Sequence, residues 1–237
     1  MSAQFQHCVP LRNIPENKYN LYLSNIIKKC ETCKKAGKVL CEKCTLMHKL
    51  YNRYYEANIP IDYWNKEINE FYGDKNLVSL HETISEKFED FYLEGISLFL
   101  KGQHGTGKTL FSSLLLKSIV IKGYNALYTT LFDMVSVLIQ GDYDDRFDAG
   151  RELKMTDLLV IDEFDPRFFA KTGEDIYGKV LESIIRIRFQ NKLPTILISN
   201  NPDPIKAFGT AMATSLDSLI SGYCKEIFVT GKDARKK

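Results

Sequence analysis

Five short apolar runs recur along the chain, and each has the length and composition of a strand buried in a parallel sheet. They occupy residues 96–100, 126–130, 157–163, 193–201 and 226–230. Amphipathic stretches with apolar residues at helical spacing separate these runs. The clearest stretches are residues 77–94, 110–121, 131–140 and 176–189. This alternation predicts an α/β fold with a doubly wound, five-stranded parallel sheet.

Three further segments lie outside these runs, and one of them, residues 45–71, has a break at residues 59–64 between two predicted helical stretches. Residues 1–27 have no firm periodicity, and the acidic residues 142–148 are predicted to form a loop. Residues 45–71 are rich in tyrosine, whose rings could stack on bases or pack between two modules. We place a domain boundary near residues 60–75, which gives a small N-terminal module over residues 1–70 and a main domain over residues 71–237.

The composition limits the class of protein. A chain of 237 residues with 44% hydrophobic content can bury one full core and carry a small appendage. Its apolar stretches are shorter than the 18 residues of a membrane span, and its N-terminus lacks the pattern of a secretory signal. Four of the six cysteines form C-x-x-C pairs, which favours a reducing compartment over a disulfide scaffold. We therefore expect a soluble, cytoplasmic protein without a membrane partner.

Charge is distributed unevenly along the chain. The formal net charge is +2, yet residues 28–53 hold eight basic and two acidic side chains, so this segment carries +6 and the remainder −4. A polyanion such as DNA would be attracted first to the N-terminal part. The alternative interpretation is an ordinary solvated, lysine-rich surface.

The two C-x-x-C pairs have the spacing of a metal site. They consist of Cys30 with Cys33 and Cys41 with Cys44, separated by seven residues. Four thiolates meet the tetrahedral preference of Zn²⁺, so we predict a structural zinc ion. His48 could replace one sulfur, or it could be a surface residue of the following helix. A redox role is disfavoured because neither pair follows a strand and opens a helix.

A glycine-rich octapeptide directly follows the first apolar run and fits the pattern G-x-x-x-x-G-K-[ST]. It consists of Gly102, Gln103, His104, Gly105, Thr106, Gly107, Lys108 and Thr109. Such a loop wraps a triphosphate with its backbone N–H groups, and the next helix directs its positive end at the same phosphates. We expect Lys108 to contact the β- and γ-phosphates of ATP and Thr109 to coordinate Mg²⁺.

A second motif supports an ATP site. Asp162 and Glu163 end the third apolar run, 54 residues after Lys108, which leaves room for that strand to return beside the loop. Asp162 would hold Mg²⁺ directly or through water, and Glu163 would polarise the attacking water. The alternative is a glycine-rich turn and an ordinary strand that ends in solvated acids.

Asn200 lies at the polar end of the fourth apolar run. If that strand lies between the strand before the loop and the strand that ends at Asp162, the Asn200 amide can contact the attacking water or the γ-phosphate. Alternatively, Asn200 terminates the strand in an ordinary turn. The arrangement resembles the AAA+ branch of the P-loop ATPases, in which such an asparagine is called sensor 1.

Within that branch, residues 90–235 resemble the bacterial helicase loaders of the DnaC and DnaI type and the related IstB transposition helpers. The motifs that carry the resemblance are the glycine-rich loop, residues 122–128, residues 157–163, Arg188 with residues 194–200, and residues 231–235. The cysteine pairs add to it, because DnaI-type loaders carry a zinc-binding, helicase-contacting domain ahead of the ATPase. Residues 57–60 resemble the segment that joins the two parts.

This chain differs from the family at the position of one of its two catalytic arginines. The family's arginine finger lies in an Asp-Arg-Leu-like motif, where this chain has Ser218. Serine cannot neutralise a transferring phosphoryl group, so we expect weak hydrolysis unless Lys225, Arg186 or a partner's arginine substitutes. The resemblance assigns the sensor 2 role at the γ-phosphate to Arg235, which could instead belong to a frayed basic tail.

The resemblance implies an ATP-dependent helicase loader. Such a protein binds ATP, Mg²⁺, single-stranded DNA and a DnaB-like hexameric replicative helicase, in a homo- or hetero-oligomer. Two alternatives stay open: a transposase-assisting ATPase on duplex DNA, and a non-hydrolysing adaptor in which ATP is a structural ligand.

Overall fold

The computed structural model describes residues 11–36, 40–71, 73–168, 174–208 and 210–231. Its strands are β1 (Ser97–Lys101), β2 (Ala126–Thr130), β3 (Leu158–Asp162), β4 (Thr195–Ser199) and β5 (Cys224–Phe228). They form one parallel sheet in the order β2-β3-β4-β1-β5. The predicted five-stranded sheet is confirmed, although β5 begins two residues earlier than expected.

Ten α-helices lie within the described residues. They are α1 (Glu16–Lys29), α2 (Glu31–Ala36), α3 (Glu42–Glu56), α4 (Lys75–Glu86), α5 (Phe88–Glu94), α6 (Lys108–Ile121), α7 (Leu131–Gln140), α8 (Tyr143–Met155), α9 (Glu174–Gln190) and α10 (Thr210–Tyr223). The single helix predicted over residues 77–94 is wrong, because the backbone at Lys87 leaves the helical region and divides it into α4 and α5.

The loop predicted over residues 142–148 is also wrong, because α8 begins there. The Asp142 side chain accepts a hydrogen bond from the backbone N–H of Asp145 at 2.9 Å and caps the helix. Asp144 and Asp145 lie in the first turn, where a negative charge interacts favourably with the helix dipole. The acidic cluster is therefore a helix start.

Each face of the sheet is covered by its own layer of helices. Leu98 and Leu100 belong to the core on the α6 side, which also receives residues from α1 and α3 to α5. Phe99 belongs to the opposite core, formed with α7 to α10. This alternation follows from the two-residue period of a strand. It leaves the carboxyl ends of the strands free for polar residues.

The N-terminal helices pack around Trp64, which is buried. Its ring lies 5.2 to 6.1 Å from those of Tyr19, Tyr22, Tyr51 and Tyr54. These tyrosines come from α1 and α3, and the two that belong to the tyrosine-rich segment, Tyr51 and Tyr54, pack against Trp64 in the core. The cluster is continuous with the core on α6. The division into domains at residue 70 stays a prediction.

Asn58 connects this N-terminal part to the outer strand of the sheet. The backbone N–H of Tyr128 in β2 donates to the Ala57 carbonyl at 2.9 Å, and the Asn58 amide donates to the Tyr128 carbonyl at 2.9 Å. Asn58 also donates to the Leu11 carbonyl and accepts from the Asn13 N–H. It has a φ of +52°, which asparagine tolerates better than most residues. The joining segment thus covers part of the edge of β2.

Arg188 in α9 is fully buried and connects four segments of the chain. Its guanidinium donates to the carbonyls of Leu153, Thr156 and Pro194 at 2.8 to 2.9 Å and to the Thr195 hydroxyl at 2.9 Å. Burial lowers the pKa of Arg188 to about 9, so the side chain remains a cation at neutral pH. It therefore holds α8 and the starts of β3 and β4 against α9.

We expect Arg188→Met to lower the free energy of unfolding by about 3 kcal/mol or more, because four buried acceptors lose their donors. Arg186→Met, two residues away, removes only a surface ion pair with Glu182 and should cost about 0.5 kcal/mol or less. Urea denaturation of both variants measures the difference. Equal losses would contradict the role of Arg188.

Candidate functional site

The glycine-rich loop joins the carboxyl end of β1 to the start of α6. Gly102, Gly105 and Gly107 have φ values of +154°, +76° and +94°, which disfavour other residues. A Cβ atom at Gly102 would lie 2.2 Å from the Val229 carbonyl oxygen, and one at Gly107 would lie 2.8 Å from the Phe71 ring. Both the backbone shape and the close neighbours therefore require glycine here.

Lys108 is buried inside this loop. Its ammonium donates to the carbonyls of Gly102 and Gln103 at 2.8 and 2.7 Å, and lies 3.2 Å from the Thr106 hydroxyl. The side chain thus folds back over the loop from the first turn of α6. Its positive charge adds to the positive end of the α6 dipole, and this combination attracts phosphate groups.

Asp162 lies at the end of β3, beside the start of α6, and is buried. One carboxylate oxygen, Oδ2, accepts from the hydroxyls of Thr109 at 2.7 Å and Tyr128 at 2.9 Å. The other, Oδ1, accepts from the backbone N–H of Glu163 at 2.7 Å. The predicted pair Thr109 and Asp162 is therefore in direct contact. Hydroxyl and carboxylate oxygens are ligands that suit Mg²⁺.

Glu163 follows Asp162 in a left-handed backbone conformation with a φ of +52°. Glu163 is exposed overall, but desolvation of its carboxyl group and the neighbouring Asp162 and Asp133 raise the pKa of Glu163, while His104 opposes the rise. A carboxylate whose pKa is raised toward neutrality is a better general base. The backbone turn directs Glu163 away from the packed core that receives Asp162.

Asn200 directly follows β4, which lies between β1 and β3. This confirms the predicted insertion of the strand. The backbone N–H of Gly102 donates to the Ser199 carbonyl at 3.2 Å, which ties the end of β4 to the start of the loop. The structure therefore brings Asn200 to the edge that holds Lys108 and Asp162.

The predicted substitutes for the arginine finger that the structure describes lie away from the loop. Arg235 falls outside the described residues. Ser218 lies in α10, Lys225 lies in the amino half of β5, and Arg186 is engaged in an ion pair within α9. Among the residues that the structure describes, neither Lys225 nor Arg186 stands at the loop.

Arg167, which sequence reasoning missed, lies four residues after Glu163. Its Nε is 2.9 Å from both carboxylate oxygens of Asp165, which is buried. Although burial favours the neutral acid, hydrogen bonds from Arg167 and Asn201 lower the pKa of Asp165. The guanidinium is thus held in one orientation near this edge. The pairing forms in the folded turn after β3, so no sequence pattern indicates it.

The four cysteines of the two pairs come together between α1 and α3. The sulfur atoms of Cys30, Cys33, Cys41 and Cys44 all lie within 4.8 Å of one another. Those of Cys30 and Cys41 are 3.7 Å apart, close to the spacing of about 3.8 Å that tetrahedral Zn–S bonds impose. The Cys33 N–H and the Cys44 thiol lower the pKa of Cys30 to about 6, while the contact with Cys30 raises the pKa of Cys44 to about 12, so the sulfur atoms form one hydrogen-bonded group. His48 lies outside this group, within α3.

Tyr128 is a further residue of this candidate site that sequence reasoning missed. Its contact with Asp162 depends on the pairing of β2 with β3, and no local pattern signals that pairing.

The length and polarity of the helices bear on membrane insertion. Among the described helices, none is long and apolar enough to cross a bilayer.

Comparisons with known proteins identify the fold. No protein-family model matches the sequence, and no curated protein sequence does. The crystal structure of DnaI matches with a TM-score of 0.59 at 17% identity, over 73% of this chain and 93% of that chain. The crystal structure of the DnaC helicase loader matches with a TM-score of 0.59 at 19% identity, over 72% of this chain and 100% of that chain.

The AMPPCP-bound DnaA from Aquifex aeolicus also matches, with a TM-score of 0.55 at 19% identity, over 71% of this chain and 51% of that chain. At these identities the likeness concerns the fold alone. The chain thus shares the fold of these proteins, with the predicted five-stranded parallel sheet, and a four-cysteine cluster compatible with zinc precedes it.

We expect the purified protein to contain about one zinc ion per chain, and Cys33→Ser to lose it. Structural zinc contributes about 10 to 16 kcal/mol of apparent free energy to small folds, so chelation should unfold α1 to α3 and change the Trp64 fluorescence. Cys224→Ser, in β5 and far from the cluster in sequence, is the matched control and should retain zinc. Metal analysis without zinc in the wild type would end this assignment.

Proposed function

We propose that this protein is an ATP-dependent loader of a replicative helicase. The observation that carries the proposal is the meeting of Lys108, Thr109, Asp162 and Asn200 at one edge of the sheet, next to Glu163. The fold shared with DnaI and with the DnaC helicase loader supports this choice among P-loop functions.

The ATP site would use groups that the fold brings to one edge of the sheet. The loop amides and Lys108 bind the β- and γ-phosphates, while Thr109 and Asp162 hold Mg²⁺, which neutralises charge on the phosphates when bound. Glu163 takes a proton from the attacking water, and the Asn200 amide orients that water. Arg235 would contact the γ-phosphate as sensor 2.

The N-terminal part would bind the partners. Residues 1–70 form a zinc-binding module that grips a DnaB-like helicase hexamer, and the +6 charge of residues 28–53 attracts DNA. Residues 71–237 form the ATPase domain, which binds single-stranded DNA, and the nucleotide state sets grip and release. The complex works in the cytoplasm, as a homo- or hetero-oligomer with the helicase.

Hydrolysis by the isolated protein should be slow, because Ser218 replaces the arginine finger, which contributes about 10³ to 10⁵ in rate. The partner would complete the site. This property separates the loader from the adaptor, which would not hydrolyse ATP under any condition. The transposase-assisting alternative predicts preference for duplex DNA.

We expect Glu163→Gln to keep ATP binding within about twofold and to lower turnover at least about a hundredfold, because the amide cannot accept the proton of water. Lys108→Ala is the contrasting variant and should lose ATP binding, since it removes the positive charge that would contact the phosphates. Binding of a fluorescent ATP analogue and phosphate release measure the two effects. If Glu163→Gln loses binding as well, Glu163 has a structural role.

ATP turnover of the full chain, measured alone, with single-stranded DNA and with the cognate helicase, tests the function as a whole. We expect low turnover alone, a rise of about tenfold or more with both partners, and retention of the chain on immobilised helicase. Duplex DNA across a salt series is the comparison that detects the transposase-type alternative. Bound ATP with background turnover under every condition would favour the adaptor.

A further inference from the structure

Tyr128 is a buried phenol beside the carboxylate that would bind the metal. Its hydroxyl donates to Asp162 Oδ2 at 2.9 Å, and only 8% of Tyr128 and 4% of Asp162 are exposed. We propose that Tyr128 is a positioning residue, which holds Asp162 in the orientation that receives Mg²⁺ together with Thr109. This inference rests on the ATP site of the proposed function and adds a residue to it.

The Asp162 carboxylate is fixed from three directions. Thr109 approaches from the first turn of α6, Tyr128 from β2, and the Glu163 N–H from the turn after β3. A carboxylate with a single donor rotates about its own axis, whereas three donors define its plane. The phenol is the donor contributed by the outer strand, and it engages the same oxygen as Thr109.

The strand register explains why a tyrosine can serve at this position. Tyr128 is in register with Val160, and Thr130 is in register with Asp162. Tyr128 and Asp162 therefore share the α6 face of neighbouring strands, two positions apart along the strand direction. The long aromatic ring spans this diagonal and is itself packed in the core on α6. A shorter polar side chain at residue 128 would not reach the carboxylate.

The hydroxyl also compensates for the burial of a charge. An ionised carboxylate removed from water needs hydrogen-bond donors, and each donor favours its charged form. The Tyr128 hydroxyl supplies one of the three hydrogen bonds that the buried Asp162 carboxylate accepts.

The position of Tyr128 is in turn set by the segment that joins the N-terminal part to the sheet. Its N–H donates to the Ala57 carbonyl, and its carbonyl accepts from the Asn58 amide. Both backbone groups of Tyr128 that face outward are therefore engaged. The ring cannot shift along the sheet without breaking these two bonds.

Tyr128→Phe in the full-length chain tests the inference, because it removes only the hydroxyl. We expect the Mg²⁺ concentration that gives half-maximal binding of a fluorescent ATP analogue to rise about tenfold, as for the loss of a hydrogen bond to a charged group. In EDTA, the affinity for the same analogue should stay within about twofold. Electron paramagnetic resonance of Mn²⁺ with a non-hydrolysable ATP analogue measures metal binding independently of turnover.

Tyr124→Phe is the matched control. Its ring packs against Phe88 at 4.7 Å in the turn before β2, and its hydroxyl is not bonded to Asp162, so the Mg²⁺ dependence should stay that of the wild type. An unchanged Mg²⁺ dependence in Tyr128→Phe would overturn the inference, and so would an equal loss of metal-free binding. A wild-type chain that binds no nucleotide would instead refute the proposed function on which this inference rests.

Discussion

The parallel arrangement of the strands is the constraint on which the candidate site depends. Because the carboxyl ends of all five strands lie at one edge, residues that follow β1, β3 and β4 meet there even though they are far apart in sequence. The glycine-rich loop, Asp162 with Glu163, and Asn200 are those residues. The insertion of β4 between β1 and β3 is decisive, because it sets Asn200 beside both of the other motifs.

The shape of the loop is imposed from outside as well as by its own glycines. Phe71, which precedes α4, packs against Gly107, and the Val229 carbonyl, which follows β5, packs against Gly102. These two flanking segments are joined to each other, since the N–H and the hydroxyl of Thr230 both donate to Asp74 at 3.2 Å. The segments before α4 and after β5 thus form two walls of one loop.

The sequence predicted the features that short-range patterns encode, namely the strands and the motifs of fixed spacing. Apolar runs located the five strands, and the fixed spacing of the glycines, of Asp162 and of the cysteines marked groups that the fold brings together. It did not reveal Tyr128 or the Asp165 and Arg167 pair, because these contacts depend on strand order and on a turn after β3. The acidic start of α8 was misinterpreted because helix capping and loop composition use the same residues.

The cover that Ala57 and Asn58 provide over β2 bears on the solubility of shortened forms of this chain. β2 is an outer strand, and its Tyr128 N–H and carbonyl are satisfied by this segment. A fragment that begins at residue 71 would leave those two backbone groups of an outer strand without these partners. An open strand edge pairs with strands of other molecules and promotes aggregation. Residues 57 and 58 therefore shield this edge of the sheet.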